Sequence, residues 1–167
     1  LDLNADPYAA PATDTAPITF GAADVTDLNW VQLMNAYSCT ECGRCTAECP
    51  ASQTGKKLSP RKIMMDTRDR LTEVGAALNK GEQVNANTLL DNYISREELW
   101  ACTSCNACVE ACPIAIDPLS IITDMRRYLV MEQSAAPTEL NNMMSNVENN
   151  GAPWPFNQQD RIAWREE

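Results

Sequence analysis

The chain has 167 residues, 44% apolar but only 6% aromatic, with a net charge of −10 from 23 acidic against 13 basic side chains. That length suits one small domain with extended tails, the acidic balance excludes the electrostatic footprint of a nucleic-acid binder, and no apolar run approaches the roughly 20 residues of a membrane helix. With no histidine anywhere, imidazole ligation of haem, zinc or a Rieske centre is excluded, and so is every histidine-based catalytic triad.

Residues 1–26 read as an extended or disordered N-terminal segment, rich in Ala, Pro and Thr over 1–20. The chain opens on Leu1 with no basic-then-apolar leader pattern, which reads as a processed chain or a piece of a longer one. "DLNWVQLMNAY" (27–37) suits a helix with Trp30, Leu33, Met34 and Tyr37 on its buried side. "CTECGRCTAECP" (39–50) follows, holding Cys39, Cys42, Cys45 and Cys49. Pro50 ends its last turn, and Gly43 permits close backbone approach. Ser59 as N-cap and Pro60 at the first helical position open a long helix. Ile63, Thr67, Leu71, Val74 and Leu78 lie on one face of it, and Gly81 closes it.

Ser95 and Glu98 form a capping box for a short helix that delivers Cys102. "CTSCNACVEACP" (102–113) then repeats the first cysteine run, with Cys102, Cys105, Cys108 and Cys112, Asn106 in place of Gly43 and Pro113 in place of Pro50. Asp117–Pro118 caps another helix, with an apolar stripe of Leu119, Ile122, Met125 and Leu129. A last helix over 138–148 turns Leu140, Met143, Met144 and Val147 inward. Residues 149–160 are irregular and proline-bent. No stretch alternates as a strand does. The prediction is an all-α domain over 27–148, pseudo-symmetric about two cysteine loops, with a linker or docking tail over 149–167.

The two runs use all eight cysteines of the chain. Disulfides explain them poorly, because thiols three residues apart are too crowded to staple distant segments. A structural four-cysteine zinc scaffold for interactions is the competing class, but it pairs two C-x₂-C knuckles across a loop of roughly 12–20 residues. C-x₂-C-x₂-C-x₃-C-P is the spacing of bacterial two-cluster ferredoxins, and two copies predict two 4Fe–4S clusters. Three thiolates on one tight loop reach three corners of a cuboidal core, while the fourth faces away and completes the other cluster. Cys39, Cys42, Cys45 and Cys112 are thus expected to hold one cluster, and Cys102, Cys105, Cys108 and Cys49 the other. The chemistry is one-electron transfer, with no residue acting as acid, base or nucleophile.

Other features carry less. Lys56, Lys57, Arg61 and Lys62 form a basic patch that reads as a solvated helix start, a docking site for an acidic partner or a contact with a membrane's anionic surface. Glu41 and Arg44 lie inside the first run and are candidates to shift its cluster's potential. Met64, Met65, Met143 and Met144 read as core filler. Trp154, Phe156 and Trp164 suit a partner anchor or packing onto the domain.

From about residue 27 onward the chain resembles the α-helical ferredoxin domain. This domain occurs in heterodisulfide reductase C-type subunits, in the iron–sulfur subunits of succinate dehydrogenase and fumarate reductase, and in subunits of glycolate oxidase and anaerobic glycerol-3-phosphate dehydrogenase. The resemblance rests on both cysteine runs, "LSPRKIM", "ELWACTSC" and "CPIAIDPLSIITDMRR". "NNGAPWPFNQQDRIAW" looks like the linker that precedes CCG domains in heterodisulfide reductase D-like proteins. The chain has neither a CCG motif nor a membrane span. The resemblance implies an electron-transfer component of a larger oxidoreductase rather than a catalytic subunit. Its partners would be a flavin, CCG-domain or membrane quinone or haem subunit, and its place the cytoplasm or the cytoplasmic face of a membrane, in keeping with reduced cysteines.

Overall fold

A computed structural model describes residues 19–165. The extended or disordered segment expected over 1–18 lies outside the described residues. Among those described the chain is helical and forms no strand, as the absence of period-two patterning predicts. The elements are α1 (Trp30–Ser38), α2 (Arg44–Ala47), α3 (Pro50–Gln53), α4 (Pro60–Lys80), α5 (Arg96–Ala101), α6 (Ala107–Glu110), α7 (Pro118–Met131) and α8 (Thr138–Asn150), with 3₁₀ turns at Val25–Asp27 and Gln158–Arg165. Two compact units divide between Tyr128 and Leu129, inside α7.

The first unit holds both cysteine runs. Its core is Ile63, Met64, Thr67 and Val74 from α4, Leu99 from α5, and Ile121, Ile122 and Met125 from α7, all buried. The Ser59 hydroxyl caps α4 by accepting from the Lys62 amide, Pro60 follows at the first position, and Gly81 ends the helix in the left-handed region at φ 69°. At α5 the Ser95–Glu98 box forms in both directions. Lys62 is drawn inward from the basic patch, its Nζ donating to Asp66 (2.7 Å) and to the Tyr93 carbonyl (2.9 Å) and lying 3.0 Å from Glu98. Burial pushes the Glu98 carboxyl up, but the Ser95 amide and hydroxyl and the Lys62 ammonium outweigh it and hold the group below the usual carboxylate range.

Three expectations for this unit need correction. In α1, Trp30, Met34 and Tyr37 face solvent, and the buried residues are Gln32 and Ala36. The orientation is set by polar contacts: Gln32 Oε1 accepts from the Asn29 amide (2.9 Å) and its Nε2 donates to Asp124 (2.7 Å). In α4, Leu78 is exposed, and the long buried side chain is instead Arg70, at 1% exposure. Residues 22–26, assigned from sequence to the extended N-terminal segment, belong to the packed unit, with Ala22 and Val25 buried. Asp24 explains both of the last two findings. Its carboxylate accepts from Arg70 Nε (3.0 Å) and Nη2 (2.7 Å) and from the Leu89 amide (3.1 Å), tying three distant segments together.

In the second unit, α8 forms where periodicity predicts it and ends on Gly151, at φ 63°. Met143, Met144 and Val147 are exposed, not turned inward. Only Met64 of the four methionines read as filler is fully buried, with Met65 half-buried. A single helix beside irregular chain and a 3₁₀ turn has too little apolar surface of its own to bury a stripe.

Candidate metal centre

The two cysteine runs adopt one backbone trace twice. Cys39 is the C-cap of α1 and Cys102 the C-cap of α5, so a capped helix delivers the first thiol of each run. Two residues on, Glu41 (φ 59°) and Ser104 (φ 57°) are left-handed, and two further on so are Gly43 (φ 82°) and Asn106 (φ 62°). These kinks wrap the chain tightly, turning the amides between the cysteines inward as an anion-binding concavity. The Ser104 amide already donates to Cys102 Sγ at 3.4 Å. Gly43 and Asn106 then start α2 and α6, which carry Cys45 and Cys108. The Cys49 amide donates to the Thr46 carbonyl (3.3 Å) and the Cys112 amide to the Val109 carbonyl (3.1 Å), again matching positions. Pro50 does more than end a turn, since it opens α3.

Two cavities lie among these thiols. One is lined by Cys39, Cys42, Cys45, Cys108 and Cys112. The other, tighter and more enclosed, is lined by Cys49, Cys102, Cys105 and Cys108. Each therefore meets three thiols of one run together with the last thiol of the other, and the first cavity also meets Cys108, which the two share. Apolar walls complete them: Met64, Ile114 and Ile116 in the first, Leu58, Leu119 and Ile122 in the second. Among the described residues no three Cys, Asp or Glu side chains converge to hold a single metal ion. The sulfurs ring hollows instead, and an all-thiol donor set around a hollow with inward amides fits a polynuclear iron–sulfide core.

The thiols differ in electrostatics. Burial, then the Cys102 sulfur, pushes Cys108 up to about 11, and burial likewise raises Cys45. The Ala107 amide and the Thr103 hydroxyl lower the exposed Cys105. Iron must displace protons from this half-buried pair, which couples loading to pH.

Glu41, Arg44 and Arg61 border the first cavity, whereas no charged side chain borders the second. Sequence reasoning missed two further arginines. Arg68 of α4 pairs with Glu41 and reaches the Cys39 carbonyl. Arg126 of α7 donates to the Leu99 carbonyl (Nε, 3.0 Å), the Cys102 carbonyl and the Ser104 hydroxyl (3.3 Å), over the Trp100 ring at 5.0 Å. Both stand at the same distance along the chain from the prolines, Pro60 and Pro118, that open their helices, a register that aligning the helices as well as the cysteines would have found.

Residues 38–116 match the 4Fe-4S dicluster domain family. The chain is 34% identical to the "Probable iron-sulfur-binding oxidoreductase FadF" of Bacillus subtilis, over 93% of this chain and 26% of that protein. It is also 34% identical to the EtfAB:quinone oxidoreductase of Syntrophomonas wolfei, over 89% of this chain and 24% of that protein. To the D-type component of the dihydromethanophenazine:CoB–CoM heterodisulfide reductase of Methanosarcina acetivorans it is 28% identical, over 84% of this chain and 35% of that protein. The chain thus spans about a quarter of the length of the first two of these curated relatives. With its helical fold and paired cysteine runs, the chain belongs over residues 38–116 to the 4Fe–4S dicluster domain family, and over most of its length it is similar to iron–sulfur oxidoreductases and to a heterodisulfide reductase component.

Proposed function

We propose that Cys39, Cys42, Cys45 and Cys112 hold one 4Fe–4S cluster and Cys102, Cys105, Cys108 and Cys49 the other. The observation that carries this is the sharing of thiols between runs around each cavity. The clusters, when bound, supply reversible one-electron capacity. The chain's residues set how it is used. Left-handed loop residues aim amides at the sulfurs, apolar walls exclude water, and exchange of the fourth thiol ties the two sites into one rigid element. Cys42 and Cys105 are the exposed thiols, one in each run, while Cys49 is buried. Each cluster would then have one edge at the surface, giving the pair an entry and an exit for electrons.

The module serves a larger oxidoreductase and is not a catalytic subunit by itself. Two relatives are named for EtfAB:quinone and for heterodisulfide chemistry, which supports redox partners on both sides, among them a flavin or CCG-domain subunit and a membrane quinone or haem subunit. Among the described residues no helix is long and apolar enough to cross a membrane. A relative from Chromohalobacter salexigens is named a membrane-anchored ferredoxin; in this reading the domain works at the cytoplasmic face of a membrane. Anaerobically prepared chain should be brown and carry roughly eight irons with matching sulfide, and dithionite should bleach it and raise two paramagnetic signals. Colourless protein with bound zinc would overturn the reading.

A further inference from the structure

The two arginines that flank the cysteine runs are related by the pseudo-symmetry of the fold but are not electrostatically equivalent. Each reaches the carbonyl of the first cysteine in its run, Cys39 for Arg68 and Cys102 for Arg126. Each also bonds the left-handed residue two positions further on. At Arg68 that residue is Glu41, a carboxylate, and the two charges cancel locally. At Arg126 it is Ser104, a neutral hydroxyl. The remaining partners of Arg126 are backbone carbonyls and the face of Trp100. Among the described residues no carboxylate pairs with it. The guanidinium is half-buried, so water and salt screen it less than an exposed charge.

We propose that Arg126 is the potential-setting residue of the cluster held by Cys102, Cys105, Cys108 and Cys49. It stands behind the loop, outside the cavity lining, and brings there a positive charge that no carboxylate offsets, whereas Glu41 offsets the equivalent charge of Arg68 at the other cluster, which Arg44 and Arg61 also border. Reduction adds one electron to a site already anionic through its four thiolates, and a fixed cation stabilises that added charge. The sign is therefore a raised reduction potential. Arg126 also positions the loop: its planar fork joins the last turn of α5 to Cys102 and Ser104, which a lysine cannot reproduce. This inference rests on the two-cluster reading given above.

The test is an EPR-monitored redox titration of the iron-loaded full chain. Arg126→Gln should lower the reduction equilibrium constant of one cluster roughly tenfold, a shift of about 59 mV for one electron, and leave the other in place. Arg126→Lys should keep most of the wild-type value, because the charge remains. Ser104→Asp keeps the guanidinium and gives it the kind of partner Glu41 gives Arg68. Asp tolerates the left-handed backbone at Ser104, so this variant should lower the same midpoint even if Arg126→Gln fails to fold. Glu41→Gln should raise the other midpoint, and Glu41→Gln combined with Arg68→Gln should restore it. Loaded Ser104→Asp protein with both midpoints unmoved would overturn the proposal, as would a shift confined to the cluster that Glu41→Gln moves. Wild-type chain that binds no iron would defeat the cluster reading instead, so the two failures are distinguishable.

Discussion

Compared position by position, residues 39–50 and 102–113 share a backbone but not an environment. The left-handed residues, the short helix that carries the third cysteine, and the amide-to-carbonyl closure before the fourth all recur. What differs is charge and anchoring. The first run is bordered by Glu41, Arg44 and Arg61, and its supporting helix α4 carries the buried Arg70 tied to Asp24. The cavity of the second is lined by no charged side chain, its loop is held from outside that lining by Arg126, and α7 has Tyr128 at the place that corresponds to Arg70. Cysteine spacing and loop backbone are what a cuboidal core requires and are the same in both halves. Charge and anchoring are free to diverge, and divergence lets two chemically identical clusters hold different potentials within one domain.

The largest effect of breaking this asymmetry is expected at the anchor. Asp24→Ala takes the bidentate carboxylate from the buried Arg70 guanidinium, leaving it Glu73, Asn85 and the Asn87 carbonyl, and should cost about 3 kcal/mol, read as a fall in the urea midpoint of the iron-loaded chain. No substitution at Tyr128 should approach that loss. A smaller effect is expected in the loops. Gly43→Ala places a Cβ on a left-handed backbone and should cost about 1–2 kcal/mol. The space there is open, with only the Arg61 guanidinium within 3.9 Å, so strain and not collision sets the figure. Asn106→Ala, where a Cβ is already present, should cost less than about 1 kcal/mol in the same assay. Equal costs at the two positions would mean the loops are less alike in strain than their dihedrals indicate.

Much of the site was legible because its signals are local. Cysteine spacing, Gly43 and Asn106 at the left-handed positions, Ser59–Pro60 and the Ser95–Glu98 box act within a few residues and are found where the sequence places them. The errors arose where a distant polar partner decides. Gln32 turns α1 against its apolar periodicity by reaching Asp124, and Asp24 draws an apparent tail into the core by reaching Arg70. Hydrophobic patterning carries no information on such contacts. In α8 the stripe of Met143, Met144 and Val147 is a genuine helical pattern, but periodicity predicts a face and not what covers it.

The claim on which the rest depends is that the last thiol of each run serves the other run's cluster, and paired cysteine substitutions test it directly. Removing two thiols of one cluster should abolish that cluster alone, whereas removing one thiol from each damages both. The measurement is iron content with EPR on anaerobically prepared Cys49→Ala/Cys102→Ala and Cys49→Ala/Cys39→Ala chains. The account predicts that the first retains about half the iron and one intact 4Fe–4S signal, and that the second retains neither signal intact. The reverse pattern, with the intact signal surviving in Cys49→Ala/Cys39→Ala, would contradict it.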